Sequence, residues 1–265
     1  METLSRTDGR VRSVVVAALL TAAGFLAAQL LTIPALLVDP SIATSPAAAT
    51  REAVIAFFTL NFTGFFVAGG LYLAVTGRGW SYLDLRFPTR RGWLYVLAGV
   101  AGSIGFIFLV GIVTQVLDLP ASQNQVVEFV GDDPTMVLIL IVIVFLLNAP
   151  AEEFLFRNVV QKRLYDAFSK MGAVVVTSLI FALIHIPSFG VAADGTAAAP
   201  AELAVSLAVV FGGSVIFGYL YAKTDNLVVP IAAHAAFNAF QFGLLYIALE
   251  YGPEELETAM ALLPA

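Results

Sequence analysis

MVLILIVIVFLLNAPAEEFLFR, Met136 to Arg157, is the stretch whose reading decides the fold. Its first twelve residues, Met136 to Leu147, are uncharged and apolar; Asn148, Glu152, Glu153 and Arg157 follow within the next ten. The apolar part, Thr135–Ala151, is short for a helix crossing a ~30 Å hydrocarbon core. It reaches full length only if the helix runs on through Glu152, Glu153 and Arg157 toward Lys162 and Arg163, which puts the charged cluster inside the membrane. On insertion scales an Asp, Lys or Arg at a helix centre costs about 2.5–3.5 kcal/mol. Three ionisable groups in six residues, Glu152 to Arg157, therefore point to a use for them.

Working outward, the chain of 265 residues is 60% hydrophobic and 12% charged, the composition of an integral membrane protein. Seven segments are long and nearly uncharged: Ser13–Val38, Ala53–Thr76, Gly92–Leu117, Thr135–Ala151 with its extension, Met171–Ala193, Leu203–Ala222 and Asn226–Leu249. They are too continuous for barrel strands, which alternate. The expectation is an all-α, polytopic membrane helix bundle of about seven (seven or eight) transmembrane helices with a cytoplasmic N-terminus. Arg6, Arg10 and Arg12 ahead of an apolar run imitate a signal peptide, but the 26 residues Ser13–Val38 exceed a signal h-region and read as an uncleaved first span.

Charge supports that topology. Of 13 Lys plus Arg, twelve fall on one side if the chain starts inside and crosses seven times, and only Arg51 falls outside. The opposite side collects Asp118, Glu128, Asp132, Asp133, Asp194 and the acids of the tail beyond Glu250. The loop Trp80–Arg91 reads as a membrane-surface anchor, with aromatics and basic residues together. With no cysteine, disulfides, thiol catalysis, thiolate metal sites and palmitoylation are excluded. No basic stripe is large enough for nucleic acid, so the expected partners are the lipid bilayer and a peptide or protein substrate, with lipidation of that substrate left open.

The polar residues of the spans form an ordered series. Glu153 and Arg157 stand at i and i+4 and can pair on one face. Glu152 points about 100° away, sharing its face with Asn148 and left without a countercharge, as a group that takes a proton from water must be. Phe181 precedes His185 by one turn; His234 and Asn238 are again i and i+4 and offer two donors toward one point, the requirement of an oxyanion hole. Counted at 1.5 Å per residue from the basic ends, Glu152 lies about 16 Å deep, His234 about 14–17 Å and His185 about 22 Å. Alone, a Glu–Arg pair is a structural tie and a membrane histidine a helix–helix hydrogen-bonder. Together, EExxxR, FxxxH and HxxxN occupy three spans and use both histidines of the chain.

This series resembles the CAAX prenyl protease family of type II endopeptidases, the CAAX-protease and bacteriocin-processing family. The matching positions are Glu152, Glu153 and Arg157, then Phe181 and His185, then His234 and Asn238. Where many relatives carry glycine after the motif arginine, this chain has Asn158. The resemblance divides the chain into helices one to three with their loops (1–134), a protease-like core of spans four to seven (135–250) and a short acidic tail (251–265), in one integrated domain, with the usual eighth span absent or truncated in the tail. It implies an intramembrane endopeptidase of the cell membrane with a water-filled cavity opening to the cytoplasm, acting on peptides by CAAX-type or other processing.

In that reading Glu152 activates water, His185 positions it, and His234 and Asn238 stabilise the oxyanion. Glu153, Arg157, Phe181 and Asn148 support them, and no cofactor is needed. Two alternatives stay open. Glu152, His185 and His234 would make a three-ligand zinc site for a metallopeptidase of the same architecture, although no His-Glu-xx-His is present. A non-catalytic membrane binding or transport protein would use Glu152 as a proton relay.

Overall fold

The computed structural model describes residues 9–119, 125–190 and 196–252. It is an all-helical bundle. Six helices are long and apolar enough to span: α1 (Arg10–Val38), α2 (Arg51–Val75), α3 (Arg90–Val116), α4 (Pro134–Leu164), α7 (Pro200–Thr224) and α8 (Val228–Tyr251). Between α4 and α7 lie α5 (Lys170–Leu183) and the four-residue α6 (Ile186–Phe189). The shortest of the six, α8 with 24 residues, is about 36 Å long at 1.5 Å per residue, enough for the hydrocarbon core.

The fifth segment departs from expectation. Instead of an unbroken helix over Met171–Ala193, α5 stops after 14 residues, about 21 Å, and the chain turns at Ile184 and His185 before α6. Pro187 explains the break. In a continued helix its ring would meet the carbonyl of Leu183 and its missing N–H would leave that carbonyl unbonded. At the first turn of α6 neither penalty applies. His185 therefore sits on a turn partway through the bundle. The expected acidic tail from Pro253 onward lies outside the described residues, as do Arg6 and Asp194.

What packs the helices is small residues. The buried face of α1 reads Ser13, Ala17, Thr21, Gly24, Ala28, Thr32 and Ala35, while Leu19, Leu26, Leu30 and Leu37 face outward. In lipid, leucine gains nothing by leaving the tails, whereas small residues let backbones approach and gain dispersion contact. α2 answers with Gly64, where a Cβ would overlap the backbone of Ala28. α4 is central: every residue from Ala149 to Gln161 except Pro150 is buried, among α1, α2, α5, α7 and α8.

The basic ends gather on one face as the charge count requires. Arg163 reaches Ser13 and Asp166, Lys170 pairs with Asp225, and Arg86 donates to the Asp225 carbonyl. Arg51 lies at the other end, where Nε and Nη2 grip both oxygens of Asp133 at 2.6 and 2.9 Å. The loop after α2 is more than a surface anchor. Trp80 and Phe87 are exposed, but Leu83 is buried, and Asp84 accepts from Lys162 (2.7 Å) and from the Tyr221 hydroxyl (2.6 Å). Asn158 donates to that hydroxyl (3.1 Å) and to the Tyr82 carbonyl (3.0 Å), so the residue that replaces the relatives' glycine ties the loop to α4.

Candidate active site

α4 is not a regular helix where it carries its charges. Val144–Asn148 and Phe154–Gln161 are π-helical, and Ala149–Glu153 between them is α-helical. Pro150 accounts for the first widening: its ring cannot sit one α-turn from the Leu146 carbonyl, and the Ala149 N–H reaches back five residues to Val144. The second ends with Lys162 donating to the Arg157 carbonyl, again five back. Such wide turns are rare and recur at functional sites.

On this frame the two glutamates address opposite nitrogens of one imidazole. Glu153 is fully buried; its Oε2 accepts from Arg157 Nε at 2.8 Å and its Oε1 faces His234 Nδ1 at 3.0 Å. Glu152 Oε2 stands 3.9 Å from His234 Nε2, beyond hydrogen-bond length. Its Oε1 accepts from Asn148 Nδ2 at 2.8 Å. Asn238 Nδ2 in turn donates to Asn148 Oδ1 at 3.1 Å, so Asn238, Asn148 and Glu152 form a chain across α8 and α4.

The i, i+4 pairing of Glu153 with Arg157 and the shared face of Asn148 with Glu152 are thus present as expected. The link from Glu153 to His234 was not foreseen, because two residues 81 apart in sequence give no sign of contact. Nor were Ser214 and Phe217 of α7. Ser214 Oγ accepts from both terminal nitrogens of Arg157 at 3.1 Å, completing the burial of that cation, and Phe217 stacks on the His234 ring with centroids 4.7 Å apart. The available signal was the small-residue run Gly212-Gly213-Ser214 in an apolar helix.

His185 comes in from the turn after α5. Its Nδ1 lies 2.7 Å from the Phe181 carbonyl, and its ring packs on Phe181, centroids 4.6 Å apart. Phe181 also lies beneath the Arg157 guanidinium at 5.5 Å and takes the edge of Phe156. Glu152, His185, His234, Asn238, Asn148 and Ser214 all line one cavity of about 480 Å³. Its remaining walls are mostly apolar, with Phe57, Phe58, Phe62 and Phe65 from α2 among them.

Two expectations meet the geometry differently. Glu152, His185 and His234 line the same cavity, yet among the described residues no three His, Asp or Glu side chains converge closely enough to hold a metal ion. Among the described residues, none of the turns of the basic face, 76–89, 165–169 or 225–227, lines the cavity. Phe154 to Gln161, Leu164, Tyr221, Leu227 and Val229 are buried on that side, and the lining continues toward the opposite end, to Val126, Val127 and Phe129.

A bundle of apolar helices holding a buried ion pair, two histidines and a second carboxylate around one cavity defines a polytopic membrane protein with a hydrolase-like polar site. Residues 134–240 match the family described as Rce1-like, type II CAAX prenyl endopeptidase, and the polar site residues Asn148, Glu152, Glu153, Arg157, His185, Ser214, His234 and Asn238 lie within that stretch. That match covers less than half of the chain, and over it the protein is similar to the CAAX protease family. No curated protein and no solved structure matches the chain.

Proposed function

We propose that the protein is a peptidase of the cell membrane that hydrolyses a peptide bond with water activated by Glu152, without a metal. The observation that supports this most is the opposition of Glu152 Oε2 and His234 Nε2 across 3.9 Å at the cavity wall, with Nδ1 of the same ring tied to Glu153. A carboxylate accepts only, so the ring proton sits on Nδ1 and is donated to Glu153, which leaves a lone pair on Nε2. His185 is fixed in the same sense, since the Phe181 carbonyl accepts from Nδ1 and Nε2 is left to accept.

Water held by Glu152 and His185 gives one proton to Glu152 as its oxygen attacks the carbonyl carbon. The oxyanion then receives the Asn238 N–H not used on Asn148. As the intermediate collapses to a carboxylate, His234 Nε2 takes the remaining hydroxyl proton and passes it to the freed amine, and while the ring holds that proton Glu153 stabilises the imidazolium, the role of the buried carboxylate in a catalytic triad. Glu152 returns its proton to the departing amine as the C–N bond breaks. Arg157 stays paired with Glu153 and Ser214, keeping Glu153 charged without offering its cation to the substrate.

Comparative sequencing of peptide termini in membranes of cells carrying the native protein or Glu152→Gln tests the reading. Termini that vanish with Glu152→Gln and persist in the presence of a chelator are expected. Cleavage that survives the substitution ends the assignment, and loss on chelation reversed by stoichiometric zinc replaces it with the metallopeptidase.

A further inference from the structure

Ser214 has a hydrogen to donate and, among the described residues, no acceptor for it. A serine hydroxyl carries two lone pairs and one O–H. Arg157 Nη1 and Nη2 both donate to Ser214 Oγ at 3.1 Å, so both lone pairs are in use. Elsewhere in the spans the hydroxyls of Thr21, Thr63, Ser206 and Thr224 donate to the carbonyl one turn back, the common partner of a serine or threonine inside a helix. Among the described residues Ser214 makes no such bond.

The hydroxyl stands at the cavity wall. Ser214 lines the same cavity as Glu152, His185, His234 and Asn238, while Arg157 behind it is wholly buried and does not. Its neighbour Gly213 also lines the cavity and has room around it, since a Cβ there would meet no atom within 4 Å. α7 and α8 are joined by the short turn 225–227 and so run antiparallel. They meet where Phe217 stacks on the His234 ring. From that contact Ser214 lies three residues back along α7, about 4.5 Å, and Asn238 four residues on along α8, about 6 Å, in the same direction across the bundle. Two donors therefore reach the cavity at nearly one level from adjacent helices, because the Asn238 amide has a second N–H beyond the one given to Asn148.

With both lone pairs held by a guanidinium, Ser214 Oγ is not free to attack a carbonyl carbon. The same two contacts polarise its O–H and strengthen it as a donor. We propose that Ser214 is a catalytic residue, the second donor of the oxyanion hole. As water adds to the carbonyl carbon, the carbonyl oxygen takes up negative charge and accepts from the Ser214 hydroxyl and the unused Asn238 N–H together. No bond to Ser214 forms, and the hydroxyl keeps its hydrogen throughout. The Arg157 cation thereby acts on the transition state through the hydroxyl that it polarises, without meeting the substrate. This role rests on the peptidase reading, which supplies the oxyanion; it does not depend on which group activates the water.

The probe is a cleaved peptide remade with a phosphinate in place of its scissile amide, which carries the tetrahedral centre and negative charge of the transition state. The native protein should bind it at least about a hundredfold more tightly than the parent peptide. Ser214→Ala should lose about a hundredfold of that affinity, the effect of removing one oxyanion donor, and bind the parent peptide as before. Its kcat should fall by a similar factor at little changed KM. Alanine also takes an acceptor from Arg157, so the melting temperature in detergent is read beside each affinity. Ser214→Cys, similar in size and a weak donor, repeats the test in a chain with no other cysteine. Ser214→Thr keeps a hydroxyl and should bring phosphinate binding back to within about tenfold of native.

Phosphinate affinity untouched by Ser214→Ala and Ser214→Cys, or falling in step with that of the parent peptide, overturns the proposal while leaving the peptidase standing. So does a native protein that binds the two ligands alike. Cleavage retained by Glu152→Gln faults the activation of water by Glu152 and leaves the donor role of Ser214 to the phosphinate, and a chain that cleaves nothing ends both readings.

Discussion

Glu153 ties stability and activity together, and two substitutions separate them. Both of its oxygens are used, Oε2 on Arg157 at 2.8 Å and Oε1 on His234 at 3.0 Å, and both side chains of the ion pair are wholly inaccessible. Glu153→Leu leaves the Arg157 cation buried with only Ser214 and the Phe181 ring for company. Breaking a buried pair from one side costs about 3–5 kcal/mol. Adding Arg157→Met removes the stranded charge, and a buried pair replaced by apolar residues of similar volume is often neutral. The double variant should return to within about 1–2 kcal/mol of the native protein, the residue being the hydrogen bonds lost at Ser214 and His234. Activity should not return, because nothing then fixes the proton on His234 Nδ1. Unfolding in mixed micelles by denaturing detergent, beside a cleavage assay on the same samples, measures both. A double variant no more stable than Glu153→Leu would refute the view that the pair is a charge-neutralising unit, and one with native activity would refute the orienting role of Glu153.

Asn158→Ala removes the donors to the Tyr82 carbonyl and the Tyr221 hydroxyl and should cost about 1–3 kcal/mol. Faster hydrogen exchange across residues 80–86 would show that the loop has come loose from α4. At the outer end, hydrogen bonds from Arg51 hold the Asp133 carboxyl below its ordinary value near 3.8, assisted by the Thr135 and Met136 amides. A lowered folded value means that the contribution is complete above the unfolded value and fades as pH falls through the folded one. The melting difference between native protein and Asp133→Asn should therefore be constant near neutrality and shrink below about pH 4; a difference that grows in acid would contradict the pairing. Gly64→Ala places a methyl against the Ala28 backbone and should destabilise by about 1–3 kcal/mol, read as a lowered melting temperature in detergent.

Much of this was legible in the chain because membrane constraints act locally. Length and hydropathy mark the six long helices, and one arginine at one end of the bundle against the basic residues at the other sorts their ends between two faces. The Glu153–Arg157 and Asn148–Glu152 contacts follow from helical spacing. The rest depends on what spacing cannot carry. Pro187 ends α5 early although the surrounding residues stay apolar, so hydropathy runs straight through the break. Ser214 looks like one more small packing residue until Arg157 arrives from another helix.

The widened turns of α4 carry a last consequence. A π turn holds one residue more than an α turn, so each acts as an insertion absorbed without lengthening the rod. Excising Ala149 would let Val144–Asn148 relax into ordinary α register at little expense in backbone bonding. It would leave the apolar outer half of α4 in phase with its neighbours, but Asn148 would stand three residues from Glu152 instead of four and turn about 100° away from its carboxylate. The spare residue thus sets Asn148 against Glu152, and its number is fixed even where its side chain is only a methyl.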